Sequence, residues 1–421
     1  LGTTGRVVLA GGILRSYSNQ NIGHKGYGRF DVSGGLYEQV TGGFAVGNNN
    51  GSFGEMYMTG GRIVTYVGLT VGNGNGGTAG ATGMVYITGG ELVSSNLVSI
   101  GNNNRCFGKV VINGGTLNIP GNRFRLAVLG SATGSLELIS GALITKGFNI
   151  GEYGSADVKV TGGVWTNYGG DNIFMNYGGG NSRMEVSGGS LNFTTANDFN
   201  IGRNGNCTSE LVFSGGTHQF ANIIPGYGGL NVVLGGMAML GGDVTAKEIR
   251  LGSNGLLELN GGVLRPTKVL GNDSAVKGRL SADGGTLIPA AANQTLVSNL
   301  QTAELGTGGL ILDTAGISTT VNQGFTDKAG SNGLLVKQGE GVLTLSGAST
   351  HTQTRVQGGT LTLVSGSTAG RNLAVDGYGI FSAGGAFAAD SFTLGSQSTP
   401  GTLVISNNNT ISVGSGGISF P

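Results

Sequence analysis

Few residues of this chain combine the types and the spacing that catalysis or metal binding needs. The three histidines, His24, His218 and His351, fall in different copies of an internal repeat, which argues against a shared metal site. His218 takes a place that other copies fill with leucine, so we expect a buried histidine with satisfied hydrogen bonds there rather than a general base. We predict no metal ligands in this chain.

The carboxylates do not suggest a catalytic pair either. Sugar hydrolysis normally uses two carboxylates at a defined separation, and calcium-assisted lyases use clustered acidic ligands. The 22 acidic residues are spread over 421 positions, and Asp31, Glu185 and Glu258 share one place in the repeat with Lys159. A place that accepts either charge is typical of a solvated strand face. We therefore predict no catalytic residue and no enzymatic activity, with a polysaccharide lyase as the weakest alternative.

Glycine-rich stretches and the two cysteines do not suggest a cofactor site. The stretch "GNGNGG" at 72–77 has the spacing G-x-G-x-x-G, but no helix is predicted after it, so a chain turn explains it better than a dinucleotide site. The wider stretch 71–80 lacks the Asp of a calcium-binding repeat. Cys106 and Cys207 lie four repeats apart, roughly 19 Å at a strand spacing of about 4.8 Å, which is beyond the reach of a disulfide. We predict no cofactor and two unbridged thiols, with intermolecular pairing as the alternative.

Composition separates the chain from ordinary enzymes. Glycine supplies 87 of 421 residues and charged residues only 11%, as in repeat proteins, while 38% hydrophobic residues suffice for a core. The apolar residues alternate through every copy, which argues against disorder. The net charge of +1 favours neither nucleic acid nor an anionic membrane as a partner, and no apolar run is long enough to predict a membrane span. Because the chain starts at Leu1 without Met, and without a signal-peptide pattern, we expect a processed or excised piece of a longer precursor.

A pair of glycines, usually preceded by a polar residue, recurs along the chain and defines the repeat. Neighbouring pairs are 20 to 29 residues apart, a period typical of solenoids and too short for the four strands of a propeller blade. In one copy Ser140 replaces the first glycine. The first glycines of the other pairs are Gly34, Gly60, Gly89, Gly114, Gly162, Gly188, Gly215, Gly235, Gly261 and Gly284, with weaker copies at Gly11, Gly358 and Gly384.

The residues around each glycine pair alternate with the period of a strand that buries one side. Apolar residues stand four and two places before the first glycine, and another stands three places after it in most copies. The inward residues predicted in this way are Phe30, Met56, Val85, Val110, Leu136, Val158, Met184, Leu211, Leu257, Leu280, Val32, Met58, Ile87, Ile112, Leu138, Val160, Val186, Phe213, Leu259, Ala282, Ile63, Leu92, Leu117, Trp165, Leu191, Leu264 and Leu287. The mostly polar residues predicted to face outward between them are Asp31, Tyr57, Tyr86, Val111, Glu137, Lys159, Glu185, Val212, Glu258 and Ser281.

A second type of corner, an aliphatic residue followed by glycine, completes each copy. Examples are Ile22-Gly23, Val46-Gly47, Val71-Gly72, Ile100-Gly101, Ile150-Gly151, Ile201-Gly202 and Leu251-Gly252. Glycine and asparagine tolerate the positive φ that a sharp turn needs. We therefore predict an all-β parallel β-helix, or β-solenoid, with about 25 residues per coil and with asparagine side chains bonded between successive corners. Residues 1–300 are predicted to form the glycine-rich solenoid repeats, and 301–421 to continue them.

One segment also resembles a known family. The stretch 333–363, "GLLVKQGEGVLTLSGASTHTQTRVQGGTLTL", resembles the autotransporter-associated β-strand repeat of bacterial passenger regions. The family has Tyr where this chain has His351, and it has a glycine pair and one more residue near Gln353, so the turn is expected to differ. Residues 255–332 resemble the segments that precede such repeats. The matching places are Gly333, Leu335, Lys337, Gly339, Gly341, Leu343, Leu345, Gly347, Gly359, Leu361 and Leu363.

The resemblance implies a bacterial passenger, exported to the cell surface or beyond. We expect a non-enzymatic extracellular structural protein, a rigid solenoid that forms a filament or an adhesive stalk. Its expected partner is itself, head-to-tail or side by side, because solenoid ends carry unpaired strand edges and a near-zero net charge favours association. A carbohydrate-binding adhesin, with surface polysaccharide as the partner, is the alternative. The corner rings of Tyr27, Phe53 and Phe107 are expected to stack between coils rather than on sugars.

Overall fold

The computed structural model describes residues 4–74, 79–195, 198–202, 207–226, 234–272, 276–405 and 410–421. Its regular secondary structure in these ranges is entirely β, without a helix. The strands wind as a parallel β-solenoid of about 16 turns with ~25 residues per coil. The predicted fold class is confirmed.

The chain divides into two compact units. Of the described residues, the first unit holds 4–222 with 234–235, and the second holds 223–226 with 236–421. The change of repeat style that we placed at residue 300 lies within the second unit and stays a prediction.

Short strands dominate both halves of the chain. The first half contains β1 Thr4–Leu9, β2 Ile13–Ser16, β3 Gln20–Ile22, β4 Tyr27–Val32, β5 Leu36–Gln39, β6 Phe44–Val46, β7 Phe53–Thr65, β8 Leu69–Val71, β9 Thr82–Ser94, β10 Val98–Ile100, β11 Phe107–Ile119, β12 Phe124–Leu126, β13 Thr133–Thr145, β14 Phe148–Ile150, β15 Ser155–Val160, β16 Val164–Asn167, β17 Ile173–Met175, β18 Ser182–Val186, β19 Ser190–Phe193, β20 Phe199–Ile201 and β21 Thr208–Pro225. The second half contains β22 Leu234–Leu251, β23 Gly255–Leu259, β24 Val263–Gly271, β25 Arg279–Ala282, β26 Gly285–Leu287, β27 Thr295–Ser298, β28 Thr302–Leu305, β29 Leu310–Asp313, β30 Thr319–Val321, β31 Thr326–Asp327, β32 Leu334–Gln338, β33 Val342–Leu345, β34 Ala348–Ser349, β35 Gln353–Val356, β36 Thr360–Leu363, β37 Thr368–Ala369, β38 Asn372–Val375, β39 Ile380–Ala383, β40 Phe387–Leu394, β41 Thr402–Ile405 and β42 Ile411–Ser419.

Each coil of the first unit has three sides. In β7, β9, β11 and β13 one long strand covers two sides and bends at the glycine pair without ending, as predicted. A three-residue strand such as β8 or β10 forms the third side. Every strand pairs in parallel with its counterpart one coil away, so Met58 lies beside Ile87 and Ile87 beside Ile112.

The core consists of the predicted inward residues. All 27 of them are buried, and Met58, Ile87 and Ile112 have no exposed surface. Full burial of such a side chain stabilises the fold by roughly 1.5 to 3 kcal/mol. Two residues of the outward set, Val212 and Ser281, are buried, so the expected exposure to solvent is wrong for these two.

Glycines are required where successive coils approach each other closely. The corner glycines Gly23, Gly47, Gly72 and Gly101 have φ between 64° and 73°, as expected for a sharp turn. Gly83 has an ordinary φ, but a Cβ atom there would collide with the carbonyl oxygen of Val46 in the preceding coil. No side chain fits into that space.

Asparagines at these corners form the predicted ladder. The Nδ2 atom of Asn48 donates to Oδ1 of Asn21 at 2.6 Å, and that of Asn73 donates to Oδ1 of Asn48 at 2.8 Å. Asn102 continues the series by donating to Asn73 at 2.8 Å. Each side-chain amide N–H₂ group therefore donates to the amide oxygen of the asparagine in the preceding coil.

The ring ladder is shorter than the sequence suggests. The rings of Tyr27 and Phe53 stack with centroids 5.7 Å apart. Phe107 lies two coils beyond Phe53, and Thr82 takes the place between them. The expected packing between coils is thus present for one pair only.

Three glycine pairs do not lie at the corner assigned to them. The strand β22 contains two pairs, and Gly241, not Gly235, lies in register with Gly261, because Asn260 donates its N–H to the carbonyl of Met239 at 2.9 Å. Met237 and Met239 stand four and two places before Gly241, and both are buried, as the pattern requires for the residues before a corner pair. Gly358 follows β35, which lies on the same side of the coil as β26, whereas Gly284 precedes β26, so Gly358 marks the next corner. Gly384 follows β39, which pairs with the strand after Gly358, so it marks a third corner.

Candidate functional site

The histidines do not meet in the structure. The part of the chain that the structure describes contains no group of three His, Cys, Asp or Glu side chains able to hold a metal. His218 is fully buried, and its Nδ1 accepts the N–H of Leu191 at 3.2 Å. Its Nε2 lies 2.8 Å from the carbonyl oxygen of Gly215, to which it donates. This is the buried, satisfied histidine that we expected.

Cys106 and Cys207 are both buried, as expected, and no disulfide joins them. The sulfur of Cys106 accepts the backbone N–H of Gly74 at 3.0 Å. Burial raises the pKa of the Cys207 thiol. Residues 75–78 lie outside the described residues, so the expectations for the stretches 72–77 and 71–80 stay predictions there.

A buried lysine distinguishes the segment around residue 340. Lys337 in β32 lies beside Leu312 and Val356, two inward core residues of the neighbouring coils, and has no exposed surface. Its ammonium donates to the carbonyl oxygens of Gly339 at 2.7 Å and Gly358 at 2.9 Å. The interior of this coil therefore contains a cation at a place that other coils fill with aliphatic side chains.

The remaining contacts of this ammonium complete a cage of four oxygens. Nζ of Lys337 lies 2.8 Å from the carbonyl oxygen of Gln338 and 3.0 Å from Oγ1 of Thr314. Burial lowers the pKa of Lys337 to about 8, against the attraction of Asp313. The four oxygens favour the charged form because an ammonium has three donors for them. The cage joins two glycine corners of adjacent coils.

Comparison with known proteins identifies this segment. Residues 335–363 match the family model described as passenger-associated-transport-repeat. This segment is similar to the repeats of that family. It confirms the resemblance drawn from the sequence, with Lys337 inside the matched range. No curated protein and no solved structure matches the chain.

An aspartate anchors the turn region of the passenger-associated-transport repeat. Oδ1 of Asp327 accepts the N–H groups of Gly333 at 2.8 Å and Thr352 at 2.7 Å. Oδ2 accepts the hydroxyl of Thr352 at 2.9 Å and the guanidinium of Arg371 at 2.6 Å. Burial opposes ionisation, but these hydrogen bonds outweigh it and hold the pKa of Asp327 below its ordinary value. One carboxylate thus ties together segments of three coils.

His351 occupies the turn where the family has Tyr. It is fully buried, and its Nε2 lies 2.7 Å from Oγ1 of Thr354. The strand β35 starts at Gln353, directly after this short turn. Burial lowers the pKa of His351 to about 4, although the nearby Asp327 opposes the shift. The imidazole is therefore neutral at neutral pH.

This histidine predicts an acid sensitivity. Below pH 6.5 the unfolded chain protonates His351, whereas the folded chain does not until about pH 4. The free energy of unfolding should therefore fall by about 2 to 3 kcal/mol between pH 7 and pH 4.5. Urea denaturation at both pH values measures it, and His351→Gln should lose most of this drop. An equal drop in the variant would contradict the assignment, since Asp327 titrates at lower pH.

The first unit contains a polar groove that the sequence did not predict. It lies along the short third-side strands β12, β14 and β17 and has a volume of about 800 Å³. Arg125, Asn149 and Phe174 are the middle residues of these strands and contribute to its lining. Four coils contribute to the lining, with Leu97 from the coil of β10, so no single stretch of sequence carries its pattern.

Proposed function

We propose that this chain is a structural passenger solenoid that is displayed at a bacterial cell surface or released from it. The passenger-associated-transport repeat at 335–363 carries this proposal. The parallel pairing of strands in successive coils within each unit supports it, because stacked coils present a repeated surface of the kind that structural repeat proteins use. Among the residues that the structure describes, no helix has the length and hydropathy of a membrane span.

Surface labelling of intact cells tests the location. An antibody raised against the 421-residue chain should label unpermeabilised cells of the native host, or detect the chain in the medium. External proteinase K should remove the cell-bound signal while a cytoplasmic marker persists. Labelling that appears only after permeabilisation would overturn the proposal.

We further propose that the chain associates with a second copy through its first coil. Val7 and Leu14 lie in register with Phe30 and Tyr37, which are buried core residues of the next coil. Val7 and Leu14 are nevertheless 51% and 40% exposed. They line a cavity of about 590 Å³ that opens over this core. Within the described residues β1 pairs only with β4, so in the purified 421-residue chain its other edge can pair with another strand. A second copy would satisfy both the apolar surface and the strand edge.

Association should therefore depend on concentration and on Val7. Sedimentation and electron microscopy of the 421-residue chain at micromolar concentration should show assemblies, and Val7→Lys should reduce them at least several-fold. Lys247→Met, an exposed change elsewhere, serves as the control. Uniform monomers at that concentration would contradict the self-association. An assay for unsaturated sugar ends on polysaccharides tests the enzymatic alternative separately.

A further inference from the structure

The groove of the first unit combines aromatic rings with polar side chains. Tyr153 and Tyr177 meet edge to face with centroids 6.3 Å apart, and Tyr177 meets Phe174 in the same way at 5.1 Å. The Tyr153 side chain is 46% exposed although its ring is held by this cluster. A fixed and half-exposed ring is the surface on which the C–H face of a pyranose packs.

Two arginines are held in place beside these rings. The Nη1 atom of Arg123 donates to the carbonyl oxygen of Asn172 at 3.1 Å and lies 3.4 Å from Oδ1 of Asn149. Arg125 is ion-paired with Glu152 at 3.3 Å, and its Nη2 donates to the hydroxyl of Ser99 at 3.3 Å. Such preorganised donors and acceptors suit sugar hydroxyls, which both donate and accept.

The groove contains a buried donor that lacks a hydrogen-bond partner. Nε of Arg125 is buried and makes no hydrogen bond within the described residues. A buried donor that stays unsatisfied has lost its hydrogen bonds to water without replacing them, which destabilises the unbound state. A small side-chain movement that brings it to a bound hydroxyl removes that cost.

The charges of the groove cancel. The guanidinium groups of Arg123 and Arg125 face the carboxylates of Asp171 and Glu152, with ion-pair distances of 3.7 and 3.3 Å. A groove with two positive and two negative groups has no net attraction for a polyanion. Its polarity therefore selects uncharged ligands that are rich in hydroxyl groups.

We propose that this groove binds a neutral oligosaccharide, with one sugar ring on Tyr153 and the hydroxyls of its neighbours on Arg123, Arg125 and Glu152. Coils are spaced by about 4.8 Å, comparable to the length of one sugar unit, so consecutive units can meet equivalent places on consecutive coils. This inference adds a ligand to the proposed surface role, and each can fail without the other. Surface display concerns where the chain is located, whereas groove binding is measured on the purified chain.

The test compares two tyrosines of similar exposure. The 421-residue chain is screened against immobilised hexamers of glucose, mannose, xylose and N-acetylglucosamine, with polygalacturonate as the acidic comparison. Calorimetry then measures the best binder. Tyr153→Ala should weaken binding about tenfold, the loss of one ring contact. Tyr66→Ala removes a ring that is 51% exposed and does not line the groove, and it should leave affinity unchanged.

Three results would overturn the proposal. These are no binding of any neutral hexamer at millimolar concentration, equal affinity of the Tyr153→Ala chain and the wild type, and tighter binding of polygalacturonate than of every neutral hexamer. Arg125→Lys keeps the charge but removes the fixed guanidinium plane, and it should also weaken binding. The fluorescence of Trp165, fully buried in the same unit, shows whether each variant remains folded.

Discussion

Replacing Lys337 by methionine is expected to destabilise the second unit by about 2 to 4 kcal/mol. Methionine keeps most of the side-chain volume but has no donor. The carbonyl oxygens of Gly339 and Gly358 then lose their contact with the ammonium inside the core. The methionine variant no longer has to bury a charge, which offsets part of this cost. The offset is small because the four oxygen partners of the ammonium already compensate for most of its desolvation in the wild type.

Hydrogen exchange locates this effect. Urea denaturation followed by circular dichroism gives the free energy, and exchange mass spectrometry of 334–363 should show faster exchange in Lys337→Met. Lys247 is exposed in the same unit, so Lys247→Met should change the free energy by less than about 0.5 kcal/mol. If Lys337→Met is as stable as the wild type or more stable, the oxygen cage does not stabilise the repeat.

The second large effect is expected from two adjacent residues of β11. Ile112 has no exposed surface and lies between Ile87 and Leu138 of the neighbouring coils. A lysine there places an unpaired ammonium in the core, and Ile112→Lys should cost about 4 kcal/mol or more, enough to unfold several coils. The position cannot relax outward without shifting the register of the strand.

The neighbouring Val111 provides the matched control. It points to the opposite side of the same strand and lies beside Glu137. Val111→Lys should therefore change the free energy by less than about 0.5 kcal/mol, since the new ammonium faces solvent and a carboxylate. Trp165, the single tryptophan, reports both variants through its fluorescence during urea denaturation. Similar losses in the two variants would contradict the assignment of inward and outward faces.

The fold could be predicted because each coil repeats the same physical requirements. Alternation around Met58 and Ile112 specifies the buried side of every strand, and glycine specifies the places without room for a Cβ. The expected solvent exposure of two outward residues was wrong for a different reason. Val212 and Ser281 lie on the outer side of their strands, and period-two patterns do not say which other parts of the chain cover that side.

The misplaced glycine pairs show that a glycine pair alone does not identify a particular corner, unless the burial of the residues around it is also known. Gly235 and Gly241 both begin a glycine pair within β22, and only the burial of Met237 and Met239 separates them. At Gly384 the same two letters mark the corner after a different side of the coil. Glycine pairs indicate a close approach of coils, but not which of the corners makes it.

The chemistry of individual sites was less predictable than the fold. Lys337 belongs to a recognised pattern, yet its position in an interior cage depends on the carbonyl groups of two corners. The groove combines Arg125, Asn149 and Phe174 from three coils, about 25 residues apart along the chain. Only the stacking of those coils makes them neighbours.

The parallel register, in which each strand bonds to its counterparts one coil away, also bears on how such a molecule evolves. Residues 45–63 and 99–117 meet the same requirements two coils apart, so tandem duplication of one coding cassette inserts a coil whose two faces already match both neighbours. Deletion of one such segment removes a coil and leaves its two former neighbours with matching faces. Length is therefore a property that selection can adjust in whole steps.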